Sequence, residues 1–187
     1  MSIKEIANEL KLSYLRECHG ILLEEASNLG LSNEEFLLLY LERELERRKN
    51  NGITRRIRHA KFVNKKFLED FDKNKYSLEL NKKFEYLEKL KFIENKENVI
   101  LIGTPGCGKT HYATALGIKA CIEGKNVLFT TVPNLIIELQ ESMSKNQLTN
   151  YKRKFEKYDL VILDELGYIS FDKAGCEILF NLLSSRN

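Results

Sequence analysis

Two textures divide the chain. Through Asn98 the apolar positions recur at helical spacing, and beyond it short apolar runs alternate with helical stretches. Ile3, Ile6, Leu10, Leu12 and Leu15 approximate one helical stripe. Ile21 to Leu29 predicts a second helix, stopped by Gly30. The run "LSNEEFLLLYLERELERRKNNG" predicts a third. Ser32 is a suitable N-cap with Glu35 three residues on, a capping box. Acidic residues open this helix and Arg47, Arg48 and Lys49 close it, as the helix dipole favours. Asn50, Asn51 and Gly52 are expected to end it. Further on, Leu78, Phe84, Leu87 and Leu90 mark an amphipathic helix.

After Asn98 the pattern predicts a strand over Val99–Ile102, a helix over Lys109–Glu123 stopped by Gly124, and a strand over Asn126–Thr130. A helix starting at Pro133, a further helical stretch in "TNYKRKFEKY", a strand over Leu160–Leu163 and a helix over Lys173–Leu183 follow. Alternation of this kind implies crossover connections and a parallel sheet. The strand runs lack strict polar alternation, as expected where both faces are covered. The expected fold class is therefore α/β, a small N-terminal helical module followed by a parallel sheet flanked by helices. Residues 1–70 form the helical and basic module and residues 71–187 the second domain.

Composition sharpens this reading in three places. With 43% hydrophobic residues, the chain of 187 residues can bury a sizeable core, which excludes wholesale disorder. The N-terminus has no apolar signal region, and FLLLYL, VILIG and LVIL are too short to span a bilayer, so a cytoplasmic protein without membrane contact is expected. Cys18, Cys107, Cys121 and Cys176 are far apart with no CxxC pair, which argues against structural zinc and for a reducing compartment. The net charge of +3 says little, but its distribution says more. From Arg47 to Leu68 there are nine Lys or Arg residues and no Asp or Glu. Such a block either faces phosphates, through Arg55, Arg56, Arg58 and Lys61, or is a solvated helix face. The same two readings apply to a second cluster at Lys145, Lys152, Arg153, Lys154 and Lys157.

The chemistry lies in Gly103-Thr104-Pro105-Gly106-Cys107-Gly108-Lys109-Thr110, which matches GxxxxGK[ST], the Walker A or P-loop pattern. A loop that wraps a polyphosphate must turn several backbone N–H groups inward, and glycines allow the backbone angles this needs. The following helix points its positive end at the phosphates. In this reading Lys109 reaches the β- and γ-phosphates of ATP and Thr110 offers its hydroxyl to Mg²⁺. "LVILDELGY" supplies a Walker B pattern: four apolar residues lead into Asp164, a candidate Mg²⁺ ligand, and Glu165, a candidate for polarising the attacking water. The catalytic candidates are thus Glu165 and Lys109. His111, in the first turn after Thr110, is counted with the nucleotide-binding positions, with packing favoured over catalysis. Cys107 sits at a permissive position and takes no redox role. Tyr168 and Phe171 are expected to pack near the Walker B strand. A kinase of a small metabolite is a further reading, disfavoured because no kinase lid is visible and Glu165 beside Asp164 favours hydrolysis.

"FIENKENVILIGTPGCGKTHYATALGIKACIEGKNVLFTT", "YDLVILDELGY" and "GCEILFNLLSSR" resemble the IstB-type helper ATPases of insertion sequences, AAA+ proteins related to the DnaC helicase loaders. The resemblance extends upstream through "RRIRHAKF" and "FLEDFD", and "DELGY" with the basic segment favours the transposition branch over a helicase loader. It implies ATP-dependent homo-oligomers on DNA that deliver target DNA to a transposase. It also implies a further strand carrying a polar sensor, and an arginine finger, both beyond Asn187. That strand would lie between the P-loop strand and the Walker B strand. On this basis the chain is expected to be C-terminally truncated, to bind ATP, and to hydrolyse it very slowly, with Arg186 at a frayed helix end. A hydrolysis-deficient remnant that binds DNA or a partner is the alternative.

Overall fold

The computed structural model describes residues 1–167 and 173–186; Tyr168 and Phe171 lie outside the described residues. The chain forms two compact units, Met1–Arg55 and Arg56–Asn187.

The first unit is helical. It contains α1 (Ile3–Glu9), α2 (Ser13–Leu29) and most of α3 (Asn33–His59). The expected first stripe is cut in two, because Lys11 adopts a left-handed conformation with φ 56° and α2 begins at Ser13. The free amides at the start of α2 are capped from a distance. The carboxylate of Glu44 on α3 accepts from the backbone N–H groups of Ser13 (2.9 Å), Tyr14 (2.8 Å) and Leu15 (3.4 Å). An anion at a helix N-terminus satisfies donors that the helix itself leaves unpaired. The capping box at Ser32 and Glu35 forms as read: Ser32 N–H donates to the Glu35 carboxylate and Glu35 N–H to the Ser32 hydroxyl. Hydrogen bonds from Ser32 hold the Glu35 carboxyl below its usual range.

The expected stop at Asn50-Asn51-Gly52 does not occur, and α3 continues to His59. The local penalty of a mid-helix glycine is only about 1 kcal/mol. Beyond it, Ile57 packs into the core of the second unit and the Arg56 guanidinium donates through Nε to the carbonyl of Cys121 at 2.7 Å. These contacts outweigh the stop signal.

In the second unit, α4 (Leu78–Glu88) and α5 (Lys91–Glu94) replace the single predicted helix, separated at left-handed Leu90. They precede α6 (Lys109–Ile122), β1 (Val127–Thr131), α7 (Val132–Ser144), α8 (Leu148–Phe155), β2 (Leu160–Asp164) and α9 (Lys173–Ser184). β1 and β2 pair in parallel, with Val127 opposite Leu160 and Thr131 opposite Asp164. Both faces are covered. Val127, Phe129, Leu160 and Ile162 pack with Phe84, Tyr112 and Leu116 on one side. Leu128, Val161 and Leu163 pack with Leu135, Leu139, Phe155 and Leu182 on the other. This is the expected α/β class, with the sheet between helical layers.

Val99–Ile102, expected as a strand, is not one. Leu101 packs against the core, whereas Ile100 and Ile102 are 74% and 91% exposed. The composition suits a strand, but a strand also needs a partner for its backbone. β2 bonds to β1, and among the described residues no strand lies beside Val99–Ile102. Among the described residues, no helix is long and apolar enough to cross a membrane.

α6 is seated directly on β2. A Cβ at Gly117 would lie 2.7 Å from Ile162 Cδ1 and 2.8 Å from Phe62 Cε1. Gly117→Val should therefore lower the unfolding free energy by about 1–3 kcal/mol, read by urea denaturation. Unchanged stability would show that the seat is slack.

Candidate functional site

The seating of α6 brings two distant segments together. β2 ends at Asp164, and α6 begins with Lys109 and Thr110. Thr110 Oγ1 donates to Asp164 Oδ2 at 2.9 Å, across 54 positions of sequence. The other carboxylate oxygen of Asp164 accepts from the backbone N–H of Glu165 at 3.0 Å. The half-buried Asp164 carboxylate is thus fixed at both oxygens, and a hydroxyl and a carboxylate stand side by side as oxygen ligands suited to a small divalent cation.

Leading into α6, the loop Gly103–Gly108 has the conformation its glycines allow. Gly106 and Gly108 are left-handed, with φ +77° and +86°. A Cβ at Gly103 would lie 2.6 Å from Cys107 Sγ, so a side chain there would displace the thiol. Cys107 N–H bonds the Thr104 carbonyl at 3.3 Å. The amides of Gly106, Gly108, Lys109 and Thr110 have no acceptor among the described residues. Lys109 Nζ lies over the same loop and donates to the carbonyls of Gly103 (2.8 Å) and Thr104 (2.9 Å). Free amides, a helix N-terminus and an ammonium group at one place suit a polyphosphate anion.

Glu165 is exposed and left-handed, with φ +61°. Among the described residues, five other non-glycine positions share this region: Lys11, Lys61, Leu90, Lys96 and Asn146. Each of those follows a helix at the position where left-handed caps are common. Glu165 instead follows a strand, so its strain is not that of a helix cap.

His111 Nε2 lies 3.2 Å from the carbonyl of Phe67, and its ring meets Phe71 edge-on at 5.5 Å. It packs against the upstream segment. A residue that the sequence did not single out, Tyr76, donates its hydroxyl to the carbonyl of Cys107 at 2.7 Å. No local signal marks it, because its partner is 31 positions away.

The basic candidates divide. Arg56 is bonded to the Cys121 carbonyl in the last turn of α6. Burial pushes the Cys121 thiol up to about 11, with Arg56 opposing. Lys61 pairs with Glu138 at 3.0 Å, and Glu138 also accepts from Tyr151 Oη at 2.8 Å. Burial pushes the Glu138 carboxyl up, but the bonds from Lys61 and Tyr151 outweigh it and the net shift is down. Arg55 and Arg58 are exposed, with no internal bond among the described residues. In the last turn of α8, Lys152 is half-buried and Arg153 and Lys154 are exposed. Arg186 is not frayed. Its guanidinium donates to the carbonyls of Phe155 (2.8 Å) and Tyr158 (2.7 Å) and lies over the Phe155 ring. It ties the chain end to the last residue of α8 and to the turn that follows it.

The family model described as "IstB-like ATP binding protein" matches residues 5–187. A Pseudomonas aeruginosa protein named for insertion sequence IS21 and for ATP binding is 35% identical over 98% of this chain and 69% of its own length. A Geobacillus stearothermophilus protein named in the same way for IS5376 is 30% identical over 98% of this chain and 73% of its own. A third, named for IS232 of Bacillus thuringiensis subsp. berliner, is 29% identical over 95% and 71%. The chain belongs to the family of IstB-like ATP-binding proteins.

Proposed function

We propose that the chain binds ATP with Mg²⁺ at the Gly103–Thr110 loop and Asp164, and acts as a transposition helper that holds DNA and presents it to a transposase. The observation that carries this reading is the 2.9 Å bond between Thr110 and Asp164, which joins the glycine loop and the strand-end carboxylate into one site. The names of the relatives, which join ATP binding to insertion sequences, support the same reading.

The roles follow from the donor set. The unbonded amides of Gly106, Gly108, Lys109 and Thr110 receive phosphate oxygens, and Lys109 exchanges its two loop carbonyls for phosphate. Thr104, Pro105 and Cys107 shape the loop. Thr110 and Asp164 hold the cation, which when bound offsets charge on the phosphates. Glu165, held outside the helical and extended regions, orients a water toward the terminal phosphate. DNA contact is assigned to Arg55, Arg58, Arg153 and Lys154, the candidates that are exposed and have no internal side-chain bond among the described residues. As in other ATPases with a site of this kind, ATP-dependent association of several copies belongs to the proposal.

Two tests address the separate parts. Lys109→Ala should weaken MgATP binding at least about tenfold by titration calorimetry, the loss of a charge-assisted contact. Equal affinity would overturn the site. In the same assay series, Glu165→Gly should move two readouts in opposite directions. The melting temperature rises, because the left-handed position costs a side-chain-bearing residue roughly 1–2 kcal/mol, while the slow phosphate release expected of the wild type, followed over long single-turnover incubations, falls further. Retained turnover would remove Glu165 from hydrolysis.

For DNA, a variant with Arg55→Ala and Arg58→Ala should flatten the salt dependence of duplex binding by about 0.9 in log–log slope per lost phosphate contact. Arg56→Ala should chiefly lower stability, because its guanidinium is bonded to Cys121. An unchanged slope in the double variant would return Arg55 and Arg58 to a solvated face.

A further inference from the structure

We infer that Tyr76 is a positioning residue for the phosphate loop, fixing one of its peptide planes so that the Gly108 N–H faces the bound phosphate. The inference rests on the reading of Gly103–Thr110 as a phosphate site and goes beyond the loop itself.

The geometry is that of a single peptide unit. In a trans peptide the C=O and N–H lie in one plane and point in opposite directions. No cis bond occurs among the described residues, so the Cys107–Gly108 peptide is trans. Its carbonyl accepts from Tyr76 Oη at 2.7 Å. Its N–H, on Gly108, therefore points away from Tyr76, and it has no acceptor among the described residues. A flip of this peptide would turn the carbonyl into the cradle and present oxygen to an anion. The Tyr76 hydroxyl opposes that flip, because the flipped state breaks its bond.

Tyr76 is itself held. Its ring stacks on Phe71 at 5.2 Å with an interplanar angle of 19°, and meets Phe84 edge-on at 5.3 Å. Phe71 in turn packs on Tyr112 of α6 at 4.9 Å and on His111 at 5.5 Å. These aromatic contacts bind the upstream segment to the helix that follows the loop. They also come close to Gly108, where a Cβ would lie 2.9 Å from Tyr76 Oη and 3.0 Å from Phe71 Cε2. Gly108 is thus required twice, by its φ of +86° and by the tyrosine beside it. Loop and support fit only together.

Tyr76→Phe tests this, since it keeps the stacked ring and removes only the hydroxyl. Two probes are titrated in the presence of Mg²⁺: ATP, and inorganic tripolyphosphate, which has no base or sugar. Loss of one hydrogen bond that orients a donor predicts a rise of about 3- to 10-fold in both dissociation constants, by the same factor, in a chain that still unfolds cooperatively and whose melting temperature falls by no more than the loss of one hydrogen bond explains. Tyr86→Phe, which removes a hydroxyl bonded to Glu97 instead, should change neither constant. Undiminished affinity of Tyr76→Phe for both probes would overturn the inference. So would a loss confined to ATP, since the hydroxyl would then act on the nucleoside and not through the loop. A wild-type chain whose ATP binding does not depend on Lys109 would overturn the phosphate-site reading, and the inference with it. If Lys109-dependent binding persists while Tyr76→Phe binds as wild type, only the inference falls.

Discussion

The contact between α6 and β2 at Gly117 is the constraint on which the site depends. A Cβ there would overlap the side chains of Ile162 and Phe62, so the helix lies close against the strand. Because the contact is close, the first turn of α6 reaches the end of β2, and Thr110 bonds Asp164. A helix displaced by the width of one methyl group would leave the carboxylate and the hydroxyl too far apart to share a cation. The buried surfaces on both sides of the strands then serve one purpose at the site. They hold the loop before α6 and the end of β2 at Asp164 in fixed relation.

Much of this is legible in the sequence, where the signal is local. The glycine loop, the apolar run into Asp164 and the capping box at Ser32 each lie within a few residues of each other, and each adopts the conformation its residue types favour. The alternation of strands and helices beyond Asn98 likewise gives the α/β class. Readings fail where a distant partner decides. Val99–Ile102 has strand composition but, among the described residues, no strand beside it. Asn50-Asn51-Gly52 carries a stop signal that Ile57 and Arg56 override through contacts far along the chain. Tyr76 carries no signal at all until the fold brings it to Cys107.

Charge shows the same division. The basic block from Arg47 to Leu68 reads as uniform, yet its members do different work. Arg56 closes the end of α6, and Lys61 joins Glu138 and Tyr151. A cation bonded inside the fold must break that bond before it can meet a phosphate. Among the described residues, Arg55 and Arg58 have no such bond to break. Arg186 makes the same point at the other end of the chain, where an arginine expected at a frayed helix end bonds one carbonyl of α8 and one just beyond it. Counting charges along a sequence therefore overstates the surface available to nucleic acid.

In the proposed site, the glycine loop and the strand-end carboxylate act together on one cation and nucleotide. A double-mutant cycle on MgATP affinity, with Thr110→Val, Asp164→Asn and the combination, tests it most directly. The account predicts that the two substitutions are strongly non-additive, with a coupling of at least about 1 kcal/mol, because both remove the same shared cation contact. Additive losses within about 0.3–0.5 kcal/mol would show two independent positions and contradict the account.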